Sequence, residues 1–135
     1  MESATQVVGE SSSRTQLRPG GSLIEGGSLI EERPLAIRSE RGGPSHLIEV
    51  FGELDIATAP RLDEELYRIE AEDAEQVLLD LRGLDFIDSA GVRVLMAAST
   101  RFRSGSIRLH MFRGSPEIER VLRILGLDTH MPFLD

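Results

Sequence analysis

The residues best placed to do chemistry form the run Asp88-Ser89-Ala90-Gly91, which follows the β-rich run Gln76 to Leu81 and opens a helical pattern. A serine where a buried strand gives way, through a short loop, to a helix faces free backbone N–H groups and the positive end of the helix dipole. A phosphate carried there gains roughly 0.3–1 kcal/mol from that local field. It also adds about −1.5 to −2 charges to whatever surface it faces. Ser89 is therefore a hydroxyl that can gain and lose a dianion without unfolding its own domain. The plainer alternative makes Ser89 an ordinary N-cap, since Ser and Asp are both preferred there. One serine can serve both purposes.

Other chemistry finds less support. A serine nucleophile on a Gly-x-Ser-x-Gly elbow is missing, because position 87 is Ile and only position 91 is Gly. The candidate bases His46, His110 and His130 read as surface histidines, and no pair of them has metal-ligand spacing. Asp80 and Asp85 read as solvated or loop-capping carboxylates. The chain has no cysteine, which removes thiol catalysis, thiolate zinc sites and disulfides. All 15 cationic side chains are arginines, so a Walker-type phosphate loop and Schiff-base chemistry lack their lysine. No catalytic residue, cofactor or metal is expected.

The charge pattern points away from nucleic acid. Formal net charge is −8, and residues 40–88 carry 14 acids against four arginines. Residues 89–127 reverse the sign, with seven arginines and two acids. A mostly acidic chain with few aromatics neutralises phosphates poorly. No apolar run approaches the ~18 residues that a membrane span needs. Met1 to Gly9 lacks the basic and apolar blocks of a signal peptide. These features predict a soluble, cytoplasmic protein.

The elements that must hold Ser89 can be read from periodicity. Residues 1–33 read as a flexible tail and 34–135 as one domain, with no sustained apolar period before Pro34. The tail holds a hexapeptide duplication, Gly20 to Glu25 and Gly26 to Glu31, either a slippage repeat or two short sticky strands. Leu35-Ala36-Ile37 starts a strand, and His46 to Asp55 alternates with Ile48, Val50 and Leu54 on one face. Thr58-Ala59-Pro60 supplies a helix start, followed by Leu62, Leu66 and Ile69. Gln76 to Leu81 is a strand, Ala90 to about Arg103 a helix, and Ile107 to Met111 a strand. Ser115-Pro116 opens a last helix with the stripe Ile118, Val121, Leu122 and Leu125, closed by Gly126. The order β-β-α-β-α-β-α predicts an α/β domain with a largely parallel sheet.

Three segments together resemble the STAS domain family, specifically its stand-alone anti-sigma-factor antagonists. They are Gly52 to Ala59, Leu79 to Val92, and Val121 to Asp128, and the likeness runs from about Leu35 to Phe133. The resemblance implies a four- or five-stranded mixed sheet with helices mainly on one face. It implies a partner that is both an anti-sigma factor and a serine kinase of the GHKL ATPase type, and a serine phosphatase that resets the cycle. By the same resemblance Ser89 is the phosphoacceptor, and Asp88, Ala90 and Gly91 shape its loop. The resemblance likewise implies that Glu53, Asp55, Thr58 and Arg93 would form the partner-binding surface. The chain would act as a cytoplasmic monomer or weak dimer in bacterial stress or sporulation control. Ala90 departs from the family, where Ser or Thr is frequent, and Pro132 makes any last strand weak or peripheral. A competing reading within the family is a scaffold or ligand-sensing module of a larger assembly.

Overall fold

The computed structural model describes residues 4–8, through their backbone, and residues 35–134. The elements in chain order are β1 (Ala4–Val8), β2 (Leu35–Gly42), β3 (Ser45–Leu54), α1 (Ala59–Glu70), β4 (Gln76–Ile87), α2 (Ser89–Ser104), β5 (Arg108–Phe112), α3 (Pro116–Ile124) and β6 (Phe133–Leu134). They form one six-stranded mixed sheet in the order β1-β2-β3-β4-β5-β6. The first two pairings are antiparallel and the other three parallel.

The sheet has two strands beyond the β-β-α-β-α-β-α order read from sequence. β1 lies within the segment read as a tail, and β6 is a two-residue edge strand just after Pro132. The hexapeptide repeat lies outside the described residues.

Period-two alternation decides which face carries the helices. Leu35, Ile37, Ile48, Val50, Leu54, Val77, Leu79, Leu81, Leu109 and Met111 are all buried in one core. The same core takes Leu62, Leu66 and Ile69 from α1, Val92, Leu95, Ala98 and Phe102 from α2, and Ile118 and Leu122 from α3. The opposite face is largely wet. There Arg38 reaches Glu49 at 3.4 Å and its guanidinium stands 5.7 Å from the Phe51 ring. Helix α3 buries a narrower stripe than its periodicity suggests, since Leu125 is half exposed. Gly126 ends it at φ +73°, with Leu127 N–H donating to Leu122 O at 2.8 Å.

The main departure from the sequence reading concerns β4, which does not stop at Leu81 but runs on to Ile87. Its pairing with β3 shifts register twice, between Glu49 and Phe51 and between Gly52 and Glu53. Each shift inserts one extra residue on β4 and flips the inward parity. Val77, Leu79 and Leu81 therefore point inward, and so do Leu84 and Ile87. The lengthened strand leaves only Asp88 between itself and α2.

Candidate functional site

β3 and β4 end side by side, with Leu54 opposite Ile87 in the parallel register. This brings the turn at residues 55–58 against the first turn of α2. Asp88 joins the two. Its N–H donates to Leu54 O at 3.2 Å, and its Oδ1 accepts from the N–H groups of Ala90 (2.9 Å) and Gly91 (3.2 Å). Its Oδ2 accepts from Ile56 N–H at 3.2 Å. Asp88 is thus the N-cap of α2, in extended backbone at φ −119°. Ser89 is the first helical residue, not the cap.

That assignment frees the serine. Ser89 is exposed, and its hydroxyl makes no hydrogen bond with any described residue. Ala90 is partly buried against the core, and Gly91 is buried. A Cβ on Gly91 would lie 2.6 Å from Leu54 O, 2.8 Å from Leu54 Cγ and 2.9 Å from Ile87 Cγ1. Only glycine lets the helix start this close to the sheet. Gly91 thereby fixes where Ser89 emerges.

The turn at 55–58 is tied by its own side chains. Thr58 Oγ1 accepts from Asp55 N–H at 2.9 Å and lies 2.7 Å from Glu53 O, to which it donates. Asp55 Oδ1 accepts from Ala57 N–H and Thr58 N–H, both at 3.0 Å. Thr58 sits at the N-cap position of α1, yet its side chain does not cap that helix. Its hydroxyl turns back to brace the turn instead. Glu53 and Asp55 are half-buried beside it. Arg93 is exposed and shares a face of α2 with Ser89 and with Met96, which is 44% exposed.

The sequence residues Glu53, Asp55, Thr58, Asp88, Ser89, Ala90, Gly91 and Arg93 therefore converge on one end of the sheet. Two others missed from sequence join them. Ile56 is 77% exposed at the outer point of the turn, and Met96 continues the face along α2. The signal for Ile56 was its place: an apolar residue inside a turn held between Asp55 and Thr58.

One histidine differs from expectation. His46 is buried, not a surface residue, with Nε2 2.6 Å from Ser39 Oγ and Nδ1 3.0 Å from Glu72 Oε1. Arg41 and Arg68 hold the same glutamate, at 3.3 and 3.7 Å. The connectivity is that of a serine–histidine–acid triad, but Ser39 is only 2% exposed, so its hydroxyl is closed to a substrate. The cluster lies at the opposite end of β3 from Ser89, where it braces the β2–β3 hairpin against the end of α1. Among the described residues no three His, Cys, Asp or Glu side chains converge as a metal set. No helix among them is long and apolar enough to cross a membrane.

Residues 38–135 match the family model of the STAS domain. The chain belongs to the STAS domain family. Among its relatives is the anti-sigma-F factor antagonist RsfB of Mycobacterium tuberculosis, 26% identical over 82 residues. That match covers 61% of this chain and 66% of RsfB. The STAS fold is shared with the crystal structure of an anti-sigma factor antagonist from Mycobacterium paratuberculosis, at TM-score 0.66 and 23% identity over 73% of this chain and 84% of that one. It is shared too with the Bacillus cell fate determinant SpoIIAA in its phosphorylated form, at TM-score 0.57 and 21% identity over 73% and 91% of the two chains. The mixed sheet with helices packed on one face is thus the STAS fold, and the sheet here has six strands.

Proposed function

We propose that this STAS domain is an anti-sigma-factor antagonist switched by phosphorylation of Ser89. In the unmodified state it binds an anti-sigma factor that is also a serine kinase of the GHKL type, releasing the sigma factor. The kinase moves the terminal phosphoryl group of ATP to Ser89 Oγ; ADP leaves, the hydroxyl proton is lost, and the complex breaks. A serine phosphatase hydrolyses the phosphoserine and restores binding. The chain itself is a regulator and not an enzyme, working in the cytoplasm as a monomer or weak dimer.

The observation that carries this reading is the division of labour at the mouth of α2. Because Asp88 caps the helix, the exposed Ser89 hydroxyl is spare and open to a kinase. The family match and the named function of RsfB support it.

The local chemistry also supports an electrostatic veto. Asp88 already occupies the Ala90 and Gly91 N–H groups that would otherwise greet a phosphate. A new dianion would stand beside the Asp88 carboxylate, which itself reaches the turn that carries Asp55. A partner surface whose cations match those acids would have to desolvate the extra charge, and like-charge juxtaposition at an interface costs several kcal/mol. Each ~1.4 kcal/mol is tenfold in affinity, so the phosphate acts as a switch.

The test pairs two variants. Ser89→Ala is expected to bind the kinase constitutively and to accept no phosphate; Ser89→Asp is expected to bind weakly. Transfer of phosphate to Ser89→Ala at the unmodified chain's rate would refute the assignment.

A further inference from the structure

We propose that Ile56 is the apolar anchor with which this chain grips its anti-sigma-factor partner, and that Asp88 is the positioning residue that holds the anchor out. This rests on the antagonist reading above and names the group that reading leaves open.

Single exposed apolar residues are common on protein surfaces and need no role. Ile56 differs in how it is held. It is the most exposed large hydrophobic side chain among the described residues, at 77%. Yet every backbone N–H from Asp55 to Thr58 has a side-chain acceptor: Thr58 Oγ1, Asp88 Oδ2, Asp55 Oδ1 and Asp55 Oδ1 again. A turn so bonded spends little conformational entropy when it is captured. Its β-branched side chain is stiff at χ1 as well. Rigid, preorganised apolar groups ringed by polar ones are what binding hot spots are made of. Here the polar neighbours are the Asp55 and Asp88 carboxylates that bond the turn, with the exposed Arg93 and Met96 along α2. The matching partner surface is an apolar cup bordered by cations.

Asp88 couples this anchor to the switch. Its carboxylate is shared between the α2 amides and the Ile56 amide, and Ser89 is its covalent neighbour. Charge placed on Ser89 presses on the one carboxylate that fixes Ile56. Regulation then reaches the anchor itself, besides repelling the partner directly.

The probe is the anti-sigma factor recovered with the unmodified full chain, then purified. Ile56→Ala is expected to weaken its binding by about thirtyfold, the hot-spot range, with thermal stability unchanged because the side chain is outside the core. Ile56→Val is expected to keep most of the affinity. Asp88→Asn keeps an oxygen for capping but turns an N–H toward Ile56 N–H. It is expected to speed hydrogen exchange at the Ile56 amide by roughly tenfold and to weaken binding more in the Ile56 background than in Ile56→Ala, where only its lost charge is felt. Ile56→Ala binding within about threefold of wild type would reject the anchor and leave the antagonist reading standing. An equal cost of Asp88→Asn in both backgrounds would reject the coupling. Failure of the unmodified chain to bind any anti-sigma factor would overturn both readings together.

Discussion

Replacing Gly91 with Ala tests how closely the start of α2, which carries Ser89, is built onto the sheet. The added Cβ would sit 2.6 Å from the Leu54 carbonyl oxygen and within 2.9 Å of the Leu54 and Ile87 side chains. The oxygen belongs to the backbone of β3 and cannot rotate away, so the start of α2 must lift. Overpacking against immovable backbone falls in the upper part of the usual range, about 2–3 kcal/mol. Alanine's better helix propensity returns up to ~1 kcal/mol. The net loss is about 1–2 kcal/mol, which for a domain of this size lowers Tm by roughly 5–15 °C. Gly105→Ala is the matched control, because a Cβ there meets nothing nearer than 3.7 Å. Thermal melts followed by circular dichroism, with urea titrations for free energies, read both variants. Equal stability of the two would refute the close-approach account of Gly91.

Asp88→Ala removes three accepted hydrogen bonds at once and is expected to destabilise the domain by about 2–3 kcal/mol, whereas Asp88→Asn keeps the cap on α2, loses only the Ile56 bond and should cost about 1 kcal/mol; urea denaturation separates them. Asp80 supplies a pH test. Burial pushes its carboxyl up, but the Arg82 side-chain and backbone hydrogen bonds, with the Arg82 charge, more than reverse this and hold it below its ordinary value of 3.8. The stability from this pair is therefore fully present above 3.8 and disappears as pH falls through the lower folded value. Arg82→Ala is expected to lower Tm at pH 7, with the gap from wild type closing in acid below the ordinary carboxylate range; a gap constant with pH would contradict the pairing.

Much of the site was legible because its elements obey simple periods. Ile48, Val50 and Leu54 alternate cleanly, and Leu62, Leu66 and Ile69 mark one helical face, so the strand and helix that flank the 55–58 turn follow from their spacing. β4 was read short because its two bulges break the alternation after Leu81, and bulges leave no local signature in residue type. The choice between Asp88 and Ser89 as cap was undecidable from preference alone, since both are good caps; the approach of Ile56 N–H, 32 residues away in sequence, brings out the role of Asp88. His46 looked like a surface residue because its partners, Ser39 and Glu72, come from a neighbouring strand and the segment after α1. β1 was hidden for a similar reason, its pairing partner lying beyond a long Gly- and Ser-rich segment.

One dianion on the spare Ser89 hydroxyl is expected to abolish partner binding. Titration calorimetry of the anti-sigma-factor kinase against the unmodified chain and against chain stoichiometrically phosphorylated at Ser89 tests it directly. Tight binding of the first and a loss of about a hundredfold or more for the second are expected. Equal affinity for the two forms would contradict the switch.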